Sequence, residues 1–415
     1  MPGIGQKILK RFGLSQPASQ QPPPVPPHPP VWAGAPPTAA QASPWTTGPG
    51  SYSPNYNHSY NYNNMYNNSL IINQDERDIS DDRLNGTYIR LARLSDGTIL
   101  AGFTWREEGR MDKLRALKIS KSTDNGQTFH DFSEVTRGHA EIDNVHILEI
   151  RPGGHVLAAF RNHDFGTNRA GDLDGIRHYR LTVFESRDSG LTWRYLSQAA
   201  EKDPPLGIWE PFMRIGVQGE VQLVYSHEFA PDDQRTMLVV SYDLGKTWSV
   251  PRCVEGDKDR FRDGMTGITQ TVDSGDGRMA LVMVFETTRY APHFNVEAVV
   301  SYDDGATWQH RHEVYVPPRG HNAGAPQIAS FGDGSLAAVF MTDDDAERVS
   351  WIHNAAVKVS FGTGPCNGRI VWSPPVVVSP ASSFWPGIMA LDANRALVTY
   401  EHGGPRGRTI LRPSQ

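Results

Sequence analysis

Two glutamates stand among apolar residues. Glu286 closes the run Leu281-Val-Met-Val-Phe285, and Glu210 sits between Trp209 and Pro211-Phe212. A carboxylate is rarely buried without a partner. Apolar surroundings penalise its charged form and raise its pKa. Two such carboxyls held in different protonation states make an acid/base pair, which is the equipment for breaking a glycosidic bond. A salt bridge or a solvent-facing strand end would explain either glutamate equally well, because spacing alone does not separate these readings.

Other polar residues interrupt strand-like runs in the same way. Asp143 and Asn144 precede His146-Ile-Leu-Glu-Ile150, and Arg161 and His163 follow Val156-Leu-Ala-Ala-Phe160. Asn322 lies in His321-Asn-Ala-Gly-Ala-Pro326. Tyr400 and His402, with Glu401 between them, follow Ala396-Leu-Val-Thr399, and Arg90 precedes Ser95-Asp-Gly-Thr-Ile-Leu-Ala101. These are the residues expected near a sugar. Trp105, Trp209 and Trp385 are candidate platforms for a sugar ring, although a tryptophan more often packs a core.

Such residues come together only if many short elements converge on one place. From about Ser69 the chain is a succession of runs such as TYIRLARL, HVLAAF, VQLVYS and MALVMVF, bounded by Gly, Asp or Pro. These read as short antiparallel strands. No long stretch holds a helical period, so helix content should be low. Four segments share one pattern, Ser-x-Asp-x-Gly-x-Thr-aromatic, beginning at Ser122, Ser186, Ser241 and Ser301. They recur roughly every 60 residues, which marks an array of β-units. Ser and Asp oxygens cap backbone N–H groups in such a turn, and the glycine takes the positive φ of a tight reversal. Residues 69–412 accommodate five to six units of this size, within the propeller range. The aspartates read as turn-builders on the rim, away from any central mouth.

Composition limits the alternatives. Hydrophobic residues make up 38% of the chain and charged residues 21%, enough for a core. A net charge of −6 argues against a nucleic-acid surface. No apolar run is long enough to span a bilayer. The two cysteines, Cys253 and Cys366, are too few for a disulfide scaffold or a cysteine-rich metal site. No ligand cluster demands a metal or a cofactor, and oligomeric state is not readable. Residues 1–68 read as a disordered tail, Pro/Ala/Gln-rich from Gln16 to about Pro49 and Asn/Tyr/Ser-rich from Ser51 to Asn68. The first residues carry charge but no apolar segment of a secretory signal, which points to the cytoplasm.

The four-fold motif resembles the Asp-box, or bacterial neuraminidase repeat, and so implies an all-β, six-bladed, sialidase-like β-propeller. Its ring would close by joining N- and C-terminal strands in one blade. A narrower resemblance rests on GIWEPFMR, DGMTGITQ, MVFETTRY, HNAGAPQI, FWPGIMALDANRALVTYEHGG and DNVHILEIRPGGHVLAAFRNHD. These segments look like glycoside hydrolase family 93, the exo-α-1,5-L-arabinanases, from about Asn85 to Gly404. The resemblance implies a retaining enzyme that releases arabinobiose from arabinan, without a cofactor and usually secreted. It places the catalytic pair on Glu210 and Glu286, and we assign Glu286 as nucleophile and Glu210 as acid/base. Two other readings stand beside it. An exo-sialidase would use three arginines to hold a substrate carboxylate, with Arg90 as the first and Tyr400 as its tyrosine. A non-catalytic propeller would bind carbohydrate or act as a scaffold.

Overall fold

The computed structural model describes residues 72–413 except 74, 84, 108–113, 140, 168–172, 348 and 350. The expected tail of residues 1–68 lies outside the described residues. β1 (Arg77–Asp78) is short and belongs to the last blade. Blade one holds β2 (Thr87–Arg93), β3 (Ile99–Arg106), β4 (Arg115–Ser122) and β5 (His130–Gly138). Blade two holds β6 (Glu141–Arg151), β7 (His155–Thr167), β8 (Leu173–Ser186) and β9 (Arg194–Lys202). Blade three holds β10 (Ile208–Ile215), β11 (Val221–Ala230), β12 (Asp233–Ser241) and β13 (Arg252–Glu255). Blade four holds β14 (Gly264–Val272), β15 (Met279–Thr287), β16 (Asn295–Ser301) and β17 (Gln309–Tyr315). Blade five holds β18 (Ala323–Ser330), β19 (Leu336–Thr342), β20 (Ala356–Gly362) and β21 (Val376–Ser379). Blade six holds β22 (Phe384–Ala390), β23 (Arg395–Glu401) and β24 (Pro405–Leu411), and β1 completes it by pairing with β24. The described residues contain no helix.

The first strand of each blade packs on the first strand of the next, from β2 to β6 and onward until β22 meets β2 again. That closed ring identifies β2, β6, β10, β14, β18 and β22 as the innermost strands of a six-bladed β-propeller. Second strands such as β15 and β19 are buried along almost their whole length, which explains their unbroken apolar texture. The ring closes through β1. Arg77 bonds Thr409 Oγ1 at 2.8 Å, Arg406 pairs with Asp78, and Tyr400 Oη donates to Glu76 at 2.8 Å.

The four repeated turns build the outer links. In the first, Ser122 Oγ bonds Asp124 Oδ1 at 2.7 Å and accepts from Gly126 N at 2.9 Å. Thr128 donates both N–H and hydroxyl to Asp124. The same bonds recur around Asp188, Asp243 and Asp303. These bonds hold the four carboxylates below the usual range and leave them on the rim. The turns also knit neighbours together, since Ser197 of β9 donates to Gly245 O and accepts from Trp248 Nε1 at 3.0 Å.

Candidate active site

Each innermost strand carries a bulge at one equivalent position. The register runs Thr87↔Thr104 then Arg90↔Gly102 in blade one, and Asp143↔Arg161 then His146↔Ala159 in blade two. Trp209↔Ser226, Gly264↔Glu286, Gly324↔Met341 and Phe384↔Glu401 repeat it in the other blades. The bulged residues are Tyr88, Asn144, Glu210, Met265, Ala325 and Trp385, with φ of 54, 55, 41, 52, 51 and 52°. None is glycine, so each sits in a backbone conformation that costs about 1–3 kcal/mol. A bulge re-aims a side chain and is enriched beside active sites. Six in register around one ring place six side chains on a common mouth.

A second set of equivalent positions lies on the second strands: Thr104, Arg161, Ser226, Glu286, Met341 and Glu401. Several bridge to the bulge of the next blade. Thr104 Oγ1 accepts from Asn144 N at 3.2 Å, and Ser226 Oγ accepts from Met265 N at 3.0 Å. Glu286 Oε2 accepts from Ala325 N at 2.8 Å, and Arg161 Nη1 stands 3.9 Å from Glu210 Oε1.

Glu210 and Glu286 thus come from adjacent blades. Burial raises Glu210 to about 7, with the negative charges of Glu286 and Glu228 adding to it and Arg161 opposing. Burial likewise pushes Glu286 to about 7 against the Ala325 N–H bond. The neighbours of Glu286 are held closely. Arg311 bonds Thr287 Oγ1 at 3.1 Å and Asp263 Oδ2 at 2.7 Å, and its guanidinium lies 4.9 Å from the Phe285 ring. A methyl group at Gly324 would stand 2.4 Å from Glu286 Oε2, so glycine leaves the room that this carboxyl occupies.

The opposite wall is aromatic and basic. Tyr88 and Trp385 stack with centroids 4.6 Å apart, and Met265, Ala325, Trp351 and Ile352 pack with them. Trp385 therefore belongs to the mouth. Asp143 lies beneath, with Oδ2 2.7 Å from Arg106, 3.1 Å from Arg115 and 3.4 Å from Arg161. Burial opposes its charge, but the three arginines outweigh burial and hold it well below the usual carboxylate range.

Other expected sugar contacts are elsewhere. Tyr400 is fully buried in the core between blades five and six and serves ring closure through Glu76. Its apolar strand partners draw it inward, while the alternation of the strand turns Glu401 to the mouth. His402 Nδ1 is 3.6 Å from the same Glu76. His163 is fully buried edge-on to Tyr179 and Trp209, so it supports the wall from behind. Trp209 is packed there with it, and Trp105 is tied to Asp82 at 2.7 Å. Arg90 is buried and bonds Ile89 O and Pro386 O, bracing the seam under Trp385. Asn322 accepts from Phe294 N at 3.0 Å and fixes a loop. Arg161 and Asp143 do lie at the mouth, as one ion network. Cys253 and Cys366 are unpaired. No group of metal-holding side chains occurs among the described residues.

Sequence reasoning missed Tyr88, Met265, Arg106 and Arg115, and noted Glu401 only as a polar break between Tyr400 and His402. A usable signal was present: each bulged residue precedes a proline or a β-branched residue, namely Ile89, Val145, Pro211, Thr266, Pro326 and Pro386.

No protein-family model and no curated protein matches the chain. Solved structures do. A GH93 α-L-arabinofuranosidase of Fusarium graminearum, in complex with arabinobiose, is 17% identical with a TM-score of 0.57, covering 83% of this chain and 98% of that one. A Penicillium chrysogenum α-L-arabinanase with arabinobiose is 16% identical, TM-score 0.56, covering 83% and 98%. The NanB sialidase of Streptococcus pneumoniae is 12% identical, TM-score 0.55, covering 80% and 69%. These likenesses establish the sialidase-like propeller fold.

Proposed function

We propose that the protein is a retaining exo-glycoside hydrolase that releases arabinobiose from α-1,5-arabinan. The observation that carries this reading is the pair Glu210 and Glu286, buried on adjacent blades and both raised to about 7. Retention needs one carboxylate and one carboxylic acid at the same time. Two carboxyls each raised to about 7 by burial hold, on average, one proton between them near neutrality. Glu286 is the nucleophile: the Ala325 N–H fixes Oε2, favours the ionised form and leaves the other oxygen for attack. Glu210, raised by burial and further by its negative neighbours, is the acid that protonates the leaving oxygen and the base that then activates water. The bound arabinobiose in the two fungal neighbours supports arabinan as the substrate.

A sialidase reading would need arginines free to receive a substrate carboxylate. Arg106, Arg115 and Arg161 do converge, but on Asp143, a carboxylate of the protein itself. This favours a neutral sugar. Incubation with debranched arabinan and, separately, a fluorogenic sialoside tests the choice. Arabinobiose from the first and no release from the second is the expected result.

A further inference from the structure

The six-fold equivalence of the mouth positions exposes a third acidic group there. Glu401 occupies in blade six the register position that Glu286 occupies in blade four and Arg161 in blade two. These three alternate around the ring, with the bulged Glu210 of blade three between Arg161 and Glu286. Thr104, Ser226 and Glu286 each spend an oxygen on the bulge N–H of the next blade. Glu401 is half-buried and forms no ion pair among the described residues. The Thr87 hydroxyl lies beside it, and Arg106 is close enough to act on its charge while bonded to Asp143. Its register partner Phe384 precedes Trp385, and Thr87, the residue whose hydroxyl lies beside it, precedes Tyr88, so both residues beside Glu401 are chain neighbours of the stacked pair. A half-buried carboxylate that has one hydroxyl beside it and no ion pair keeps acceptor lone pairs suited to sugar hydroxyls.

Resting on the glycosidase reading, we propose that Glu401 is a specificity-determining residue that accepts hydrogen bonds from two hydroxyls of the sugar seated against Tyr88 and Trp385. It would select a neutral polyhydroxylated ring and disfavour one bearing a carboxylate, because like charges so close repel.

The test compares wild type, Glu401→Gln and Glu401→Asp on a chromogenic α-L-arabinobioside and its singly deoxygenated analogues. A hydrogen bond to a charged group is worth about 1.5–3 kcal/mol, so KM should rise about 10- to 100-fold in Glu401→Gln. The pH profile of kcat should stay where Glu210 and Glu286 set it. Glu401→Asp, which keeps the charge, should recover part of the loss. Removing the hydroxyl that Glu401 binds should weaken the wild type and leave Glu401→Gln unaffected. An unmoved KM, or equal deoxygenation penalties in both proteins, overturns the proposal. So does a KM change that tracks the melting temperature across both variants. A wild type that hydrolyses no glycoside defeats the glycosidase reading. Arabinobiose titrated into Glu286→Gln with and without Glu401→Gln still decides for Glu401: weaker binding in the double variant supports it, and equal or absent binding in both overturns it.

Discussion

At the scale of the residue, burial does most of the chemical work. Glu210 and Glu286 are ordinary carboxyls, moved to about 7 by desolvation. The pH dependence of kcat/KM should therefore be bell-shaped around neutrality, read from initial rates between pH 4 and 9. Stability should show the same groups. A carboxyl whose folded pKa lies above its unfolded value near 4.5 binds more protons when folded. Its contribution is fully present below that value and is lost as pH rises toward the folded pKa of about 7. Glu210→Gln and Glu286→Gln should therefore melt at a higher temperature than wild type at pH 8 and close to it at pH 4.5. A gap independent of pH would contradict the assignment. In catalysis Glu210→Gln should lose about 10²–10⁴-fold on arabinan. It should lose much less on an aryl glycoside whose leaving group needs no proton, whereas Glu286→Gln should lose activity on both.

At the scale of the element, the bulge and its surroundings set the aim of each carboxyl. Gly324→Ala places a methyl group against Glu286 Oε2. Loss of turnover with an unchanged β-sheet circular dichroism spectrum is expected, and full activity would show that the carboxyl is not needed where it stands. Arg311 grips Asp263, Glu297 and both chain neighbours of Glu286. Arg311→Met strands the buried Asp263 carboxylate, leaves Glu297 only Arg289 at 3.4 Å as a cation, and should cost about 3–5 kcal/mol in chemical denaturation. The glutamates were legible in the sequence because each breaks an apolar setting. Of the polar run Tyr400, Glu401 and His402, the sequence pointed to Tyr400 and His402 as sugar contacts, yet Tyr400 is core, because period-two alternation does not say which face of a strand end points inward. Asp143 was readable as a site residue, but its capture of three arginines was not, since Arg106, Arg115 and Arg161 come from three strands of two blades.

At the scale of the whole molecule, repetition made the fold legible. Four turns of one pattern gave the period, which left five to six units, and the resemblance to sialidase-like propellers chose six. Blades five and six lack that turn and were inferred from length, and their strands are as apolar as the rest. The closure through β1 rests on a few residues, among them Glu76, Arg77 and Asp78. A chain begun at Ser69 is expected to match the full chain in melting temperature and rate. One begun at Ile79 should melt earlier and broadly, because the last blade loses its outer strand and the ring its clasp. Equal melting of the two would show that β1 contributes nothing to closure.

The joint placement of Glu210 and Glu286 at one mouth is tested most directly by following the anomeric protons of the sugar first released from debranched arabinan. Arabinobiose with retained configuration is expected from the wild type, and no product from Glu286→Gln. Inverted product, or undiminished release by Glu286→Gln, would contradict that placement.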